Sequence, residues 1–350
     1  MATNLIDSIG KTPLVSLCTP NVHAKLEMLN HFGMKDRVAK NILLQAKMDG
    51  TLNPGDVIIE SSSGTMALGV AMVGTALGHE VIIVTDPRID PLTMIKLKAL
   101  GADVHVVERM SESGGWQGAR LDYLCELFTI YPNHFWPKQY ENPHNPGAYQ
   151  SLADELMNEL PSIDYLVGAV GSGGSLGGIA SHLKVKHPSL KVIAVDSVGS
   201  ILFDQPLKSK RLQGGLGNSI KPKNVQYGLI DEVHWLNDNE AFESSIRLAN
   251  REKIFAGNSS GSVYTVASWV GKKAGPDKTV VAIFPDRGDR YQDSVFNEEF
   301  WKDHGLNHGS IPSEPTMVLG QEEVKTWSYV KWNRKERKNH ETQYPTIHRV

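Results

Sequence analysis

From Val57 onward the chain alternates short β-branched runs with stretches whose apolar positions recur at helical spacing. Val57-Ile58-Ile59, Val81-Ile82-Ile83-Val84 and Val104-His105-Val106-Val107 read as strands, with helices from about Met66 and over 93–100 between them. Such alternation builds a parallel sheet, because parallel neighbours need a long crossover. The rhythm restarts at Tyr165-Leu166-Val167-Gly168-Ala169-Val170, continues through Val192-Ile193-Ala194-Val195 and closes with Val280-Val281-Ala282-Ile283-Phe284. Between the two sets, residues 133–146 are rich in Pro and Asn and break both periods, which places a hinge there. The pattern predicts an α/β chain of two three-layer α/β domains with mostly parallel sheets. A small mobile domain over 30–140 faces a large domain made of 1–29 and 141–312, with a tail over 313–350 and the cleft between domains as the ligand site.

Four turns carry candidate chemistry. Lys35 stands ahead of Val38, Ala39, Ile42, Leu43 and Ala46 at helical spacing, so it sits just before or in the first turn of an amphipathic helix. There it opposes the helix dipole, and by itself it reads as an ordinary surface lysine. Gly171-Ser172-Gly173-Gly174-Ser175-Leu176-Gly177-Gly178 follows a strand and opens a helical pattern, a setting in which N–H groups converge on an anion. A dinucleotide fingerprint with Asp196 as the ribose acid is a rival, although the glycine spacing departs from that pattern, and a pure packing loop is a third reading. Ser61-Ser62-Ser63-Gly64-Thr65 and Ala256-Gly257-Asn258-Ser259-Ser260-Gly261 also open helices. Each is a helix cap in its plain reading; the first could instead cradle a carboxylate, the second face a ring nitrogen with a hydroxyl. Together, the amine and the phosphate cradle point to pyridoxal 5′-phosphate, which needs a lysine for a Schiff base and backbone N–H groups for its phosphate.

Composition narrows the partners. Hydrophobic residues make up 40% and charged residues 21% of 350, with a formal net charge of −3, so nothing asks for nucleic acid or a membrane surface, and small metabolites are the default partner. Cys18 and Cys125, the only cysteines, form no disulfide framework and no zinc or redox spacing; no metal is expected, and a reducing cytoplasm fits best. The N-terminus carries no signal-peptide pattern, and no apolar run approaches the ~20 residues of a membrane span. The mostly basic run Lys331-Trp332-Asn333-Arg334-Lys335-Glu336-Arg337-Lys338 reads as a solvated tail.

Over about residues 5–301 the chain resembles the cysteine synthase group of pyridoxal phosphate enzymes, whose fold is the tryptophan synthase β-like fold type II. Ile9-Gly10-Lys11-Thr12-Pro13-Leu14-Val15 is similar to its N-terminal signature, Lys35-Asp36-Arg37 to its lysine motif and Gly171-Ser172-Gly173-Gly174-Ser175 to its phosphate loop. The segments Met34-Lys35-Asp36-Arg37, Ala194-Val195-Asp196 with Gly199-Ser200, Ile254-Phe255-Ala256-Gly257 and Pro285-Asp286-Arg287-Gly288-Asp289-Arg290-Tyr291 are closer still to the branch that makes N-(2-amino-2-carboxyethyl)-L-glutamate, a diaminopropionate precursor in siderophore (staphyloferrin B) biosynthesis. The resemblance implies that Lys35 forms the Schiff base, that Gly171, Ser172, Gly173, Gly174 and Ser175 hold the phosphate and that Ser259 meets the pyridine nitrogen. Ser62, Ser63, Gly64, Thr65 and Gln139 would hold the substrate carboxylate, with Thr65 also beside the cofactor. It implies a homodimer and β-replacement on an activated L-serine, O-phosphoserine or O-acetylserine. An aminoacrylate would be attacked by an amine such as that of L-glutamate. If the leaving group is phosphate, Arg287 and Arg290 are the candidate partners, at least one of them being more simply a structural ion pair.

Three departures bear on substrate rather than reaction class. Thr65 stands where the family usually has an asparagine, offering a hydroxyl but no amide. The phosphate loop looks more like that of ordinary cysteine synthases than like the diaminopropionate branch. Lys253 occupies a usual glycine position. Cysteine synthesis with sulfide is therefore the alternative, and a catalytically silent relative is a third reading, opposed by retention of Lys35.

Overall fold

A computed structural model of the chain describes residues 4–111, 115–208, 210–309, 311–319 and 322–332. Its strands are β1 (Leu14–Ser16), β2 (Val22–Lys25), β3 (Val57–Ser61), β4 (Val81–Thr85), β5 (Asp103–Val106), β6 (His134–Phe135), β7 (Tyr165–Ala169), β8 (Lys191–Ser197), β9 (Glu232–Leu236), β10 (Val280–Ile283), β11 (Thr316–Met317) and β12 (Ser328–Lys331). The helices are α1 (Lys35–Asp49), α2 (Thr65–Ala76), α3 (Pro91–Ala99), α4 (Gly115–Ile130), α5 (His144–Gly147), α6 (Gln150–Glu159), α7 (Gly174–Lys186), α8 (Asp238–Glu252), α9 (Asn258–Ala274) and α10 (Glu298–Asp303).

Two sheets result. A four-stranded sheet in the order β5-β4-β3-β6 is parallel throughout. An eight-stranded sheet runs β1-β2-β10-β7-β8-β9-β12-β11; it is parallel from β2 to β9 and antiparallel where β1 meets β2 and where β12 meets β9.

The β-branched runs of β3, β4, β8 and β10 are buried on both faces, as parallel strands between helical layers must be, while β5 at the sheet edge is only partly covered. Along β7 and β10 successive residues alternate between two cores. Leu166, Val281 and Ile283 pack with α6 and α7, while Val167, Val280 and Ala282 pack with α9. In the smaller sheet Ile58, Val81 and Ile83 join the apolar cluster that holds α1 and α2, and Ile59, Ile82 and Val84 face Leu124 and Leu127 of α4. One continuous apolar layer, with helices from both halves, therefore lies between the sheets. It sets the carboxyl ends of β3, β7 and β10 around a common cleft, where open α/β sheets bind ligands.

The C-terminal stretch differs from its expectation as a tail. Ser328–Lys331 adds an antiparallel strand to β9, Trp327 and Trp332 are buried, and Thr316–Met317 pairs beside it. The strand was obscured because it is short and ends in the basic run; of that run, positions from 333 lie outside the described residues. The Pro/Asn-rich segment also begins as a strand, β6, before it turns.

Candidate active site

Lys35 is the first residue of α1, so its side chain projects from the helix start into a cavity of about 280 Å³. What fixes that helix start is a buried charge network two residues further on. Arg37 donates to Glu27 from Nε at 2.7 Å and Nη2 at 2.8 Å, and to Glu155 from Nη1 and Nη2 at 2.9 Å each. Lys25 closes it with an ion pair to Glu155 at 3.0 Å. Arg37 thus clamps α1 to the 27–29 turn and to α6, a bidentate use lysine could not replace. Asp36 turns inward, where its Oδ2 accepts the Phe32 N–H at 2.8 Å and burial pushes its carboxyl up to about 7.

Lys35 Nζ donates to Ser172 Oγ at 2.9 Å, across 137 residues of sequence, so the amine and the glycine loop meet in one place. Burial pushes the Lys35 ammonium down to about 8, which leaves part of the amine unprotonated and nucleophilic near neutral pH. Ser172 Oγ also accepts from Asn145 Nδ2 at 3.3 Å, which leaves its own O–H to be donated elsewhere.

The loop from β7 into α7 turns at Gly173, whose φ of 83° lies in the left-handed region. A Cβ at 173 would come within 2.7 Å of the Val225 backbone nitrogen, and one at 174 within 2.6 Å of Asn145 Cγ. These two glycines are therefore required by packing. Gly171, Ser172 and Ser175 line the cavity, and the unpaired N–H groups of the α7 first turn follow directly. Asp196 is completely buried within β8, its Oδ1 accepting the Ser197 N–H at 2.8 Å, and burial pushes it up to about 7. It does not line the cavity, so the dinucleotide reading has no acid where a ribose would sit.

Ser62, Ser63, Gly64 and Thr65 lie at the β3–α2 turn, Gln139 beyond β6 and Ser259 in the first turn of α9, and all line the same cavity. Arg290 also reaches it, held by Asp286 at 3.2 Å and Asp90 at 3.5 Å. Arg287 does not. It sits at the N-cap of a short 3-10 turn, is half exposed and pairs with Asp289 at 2.7 Å away from the cavity. Lys253 sits at the end of α8 with φ 61°, so the backbone keeps the left-handed path of a glycine.

The structure adds residues that sequence reasoning passed over. Arg120 of α4 lines the cavity, its Nε 3.5 Å from Asp86 Oδ2 without a hydrogen bond to it. Nearby Glu60 is buried and pushed up to about 7 by burial, with Arg120 among the groups opposing the shift. Asp286, just past β10, accepts from Ser259 Oγ at 3.3 Å and from Tyr291 O–H at 2.6 Å. The 214–218 loop forms another wall. Arg120 gave no signal, being one charge on a helix; Asp286 stood inside the Pro285–Tyr291 segment and Gly214-Gly215-Leu216-Gly217 was a visible glycine cluster.

A lysine amine, a helix N-terminus after a glycine turn and a buried hydroxyl around one cavity form a donor set that fits pyridoxal 5′-phosphate. The family model for pyridoxal-phosphate dependent enzymes matches residues 5–286. The chain belongs to that family, in its fold type II cysteine synthase group, and pyridoxal 5′-phosphate is the family's cofactor. It is 37% identical over 309 residues to N-(2-amino-2-carboxyethyl)-L-glutamate synthase of Ralstonia nicotianae, covering 86% of this chain and 91% of that one. Among solved structures, a cysteine synthase of Entamoeba histolytica superposes with a TM-score of 0.78 at 28% identity, over 86% of this chain and 91% of that one. A hydrogen sulfide-producing enzyme of Fusobacterium nucleatum gives 0.78 at 29%, over 83% and 98%. Among the described residues no helix is long and apolar enough to cross a membrane.

Proposed function

We propose that the protein joins O-phosphoserine to the amine of L-glutamate by β-replacement, yielding a diaminopropionate precursor for siderophore synthesis. The observation that carries the phosphate half is Arg120, a cavity-lining guanidinium whose one ion pair among the described residues is a long 3.5 Å contact to Asp86, beside the more firmly paired Arg290. The similarity to the Ralstonia nicotianae synthase supports the glutamate half.

Bound pyridoxal phosphate supplies the electron withdrawal that lets a serine derivative lose its Cα proton and its β-substituent. Lys35 would hold the cofactor aldehyde, and its amine, which burial pushes below the ordinary lysine range, would accept the Cα proton of the substrate. Ser172 orients that amine and, with Gly171, Gly173, Gly174 and Ser175, would hold the cofactor phosphate. Ser62, Ser63, Gly64, Thr65 and Gln139 would hold the substrate carboxylate, and Arg120 the departing phosphate. Residues 30–140 act as a small domain that closes over substrate and excludes water, and the chain works as a homodimer. Sulfide as nucleophile is the second reading, favoured by the Gly171-Ser172-Gly173-Gly174-Ser175 loop.

Arg120→Ala tests the assignment. Loss of a charged hydrogen-bond partner should lower kcat/KM for O-phosphoserine by roughly 10- to 100-fold and leave O-acetylserine nearly unchanged. Equal effects on both esters would refute a phosphate-reading role.

A further inference from the structure

Arg290 stands where several parts of the cleft wall meet. Its Nη1 donates to Asp286 Oδ2 at 3.2 Å, and its guanidinium lies 5.4 Å from the Tyr291 ring centroid, so one end is anchored in its own turn. Its Nε faces Asp90 Oδ2 at 3.5 Å. Asp90 is the N-cap of α3, its other oxygen Oδ1 accepting the Thr93 N–H at 2.8 Å. Nη2 packs against the β3–α2 turn, 3.4 Å from where a Cβ at Gly64 would stand. The segment that carries Arg290 also holds the start of α1, because the Pro285 carbonyl accepts the Met34 N–H at 2.8 Å, one residue before Lys35.

Met34, Gly64 and Asp90 all lie within 30–140, and Arg290 lies outside it. The contacts between the two parts differ in tightness. At Met34 the hydrogen bond has ordinary length, whereas Arg290 and Asp90 stand beyond the ~2.7–2.9 Å of a charged N–H to carboxylate bond. Among the described residues neither Arg290 Nε nor Asp90 Oδ2 has a hydrogen-bond partner, although both atoms are buried. A buried donor and a buried acceptor that face each other unbonded are costly as they stand. An approach of about 0.6–0.8 Å from the present 3.5 Å would join them. Since Arg290 is anchored, α3 and the neighbouring β3–α2 turn are the parts that travel, pivoting about the tight contact beside Lys35.

We propose that Arg290 is a positioning residue that draws Asp90 in when substrate occupies the 62–65 turn, and so fixes that turn in register with Lys35. The inference rests on the reading of 62–65 as the substrate-carboxylate turn and of 30–140 as the part that closes. A carboxylate held by the turn brings it toward the cavity, and the bond from Arg290 to Asp90 keeps it there. Arg290 then serves the amino-acid portion common to every activated serine, while Arg120 serves the leaving group.

The test uses full-length protein loaded with pyridoxal phosphate, with Asp90→Asn as the first variant. Asparagine caps a helix as well as aspartate does, so α3 keeps its start while the charge facing Arg290 is removed. KM should rise roughly 10-fold for both O-phosphoserine and O-acetylserine with kcat nearly unchanged, as expected for loss of one charge-assisted bond made in the bound state. Hydrogen–deuterium exchange gives a readout independent of turnover. In the native protein, O-phosphoserine without a nucleophile should add protection to the amides of 62–68 and 91–97; in Asp90→Asn that gain should be lost while the unliganded pattern stays native. Arg290→Gln should raise KM for both esters at least as much, and adding Asp90→Asn to it should have no further effect, which a merely structural role would not produce. The inference alone falls if either KM or the gain of protection is the same in Asp90→Asn as in the native protein. It also falls if the Arg290→Gln effect is confined to O-phosphoserine, which would make Arg290 a reader of the leaving group. A native protein that consumes neither ester and gains no protection overturns it together with the reading of the 62–65 turn.

Discussion

In the cofactor-free protein, replacing Lys35 with Met should increase stability at neutral pH. Folding brings the ammonium from its ordinary 10.5 to about 8 because burial disfavours its charge. At about 1.4 kcal/mol per tenfold, that gap is worth about 3 kcal/mol of destabilisation below pH 8. The side chain is half-buried and donates to Ser172, so solvent screening and the lost hydrogen bond reduce the net gain from Lys35→Met to about 2 kcal/mol. The sign follows from proton counting. Between pH 8 and 10.5 the unfolded lysine holds a proton that the folded one has released, so native stability rises with pH across that window. The advantage of Lys35→Met should therefore be full at pH 7 and gone near pH 10.5. At roughly 2.1 cal/mol/K per residue of unfolding entropy, about 2 kcal/mol is about 3 °C in Tm for a chain of 350 residues. Urea titrations of the two cofactor-free proteins followed by tryptophan fluorescence, at pH 7, 8.5 and 10, measure it. A variant no more stable than native at pH 7, or a difference that stays constant with pH, would refute the buried-amine reasoning.

Arg37→Met should cost about 3–5 kcal/mol by leaving Glu27 buried without its bidentate partner, read as a lowered urea midpoint, and should weaken cofactor binding because the start of α1 loosens. Lys253→Gly should stabilise the protein by about 0.5–1 kcal/mol, since the left-handed φ of 61° is costly for a lysine, and calorimetry should show the shift without loss of activity. Gly174→Ala should lose about 1–3 kcal/mol and most cofactor affinity, because the new methyl displaces Asn145 and with it a hydrogen-bond partner of Ser172; equilibrium dialysis with pyridoxal phosphate checks the second part.

Much of the architecture was legible because parallel strands buried on both faces leave uninterrupted β-branched runs, as at Val81-Ile82-Ile83-Val84 and Val280-Val281-Ala282-Ile283. β9 was not, because Glu232 and His234 break its apolar run; the structure explains them as a pair, His234 Nε2 2.7 Å from Glu232 while Nδ1 accepts from Trp327. β12 is the strand that supplies that tryptophan's neighbourhood, and its pairing partner lies about a hundred residues away, beyond any local period. Within the site, glycine and serine turns announced themselves by composition. Arg120 and Asp286 did not, since a charge becomes a site residue only when the fold turns it toward a cavity, and Arg287 looked equal to Arg290 until the turn at 288–291 sent the two apart.

One competition experiment decides between glutamate and sulfide as the nucleophile. Full-length protein loaded with pyridoxal phosphate is given O-phosphoserine with equal L-glutamate and sulfide, and the products are identified by mass spectrometry. The expected product is N-(2-amino-2-carboxyethyl)-L-glutamate with stoichiometric phosphate release, abolished in Lys35→Ala. Cysteine as the sole product would contradict the glutamate assignment, and no product with either nucleophile would contradict β-replacement on O-phosphoserine.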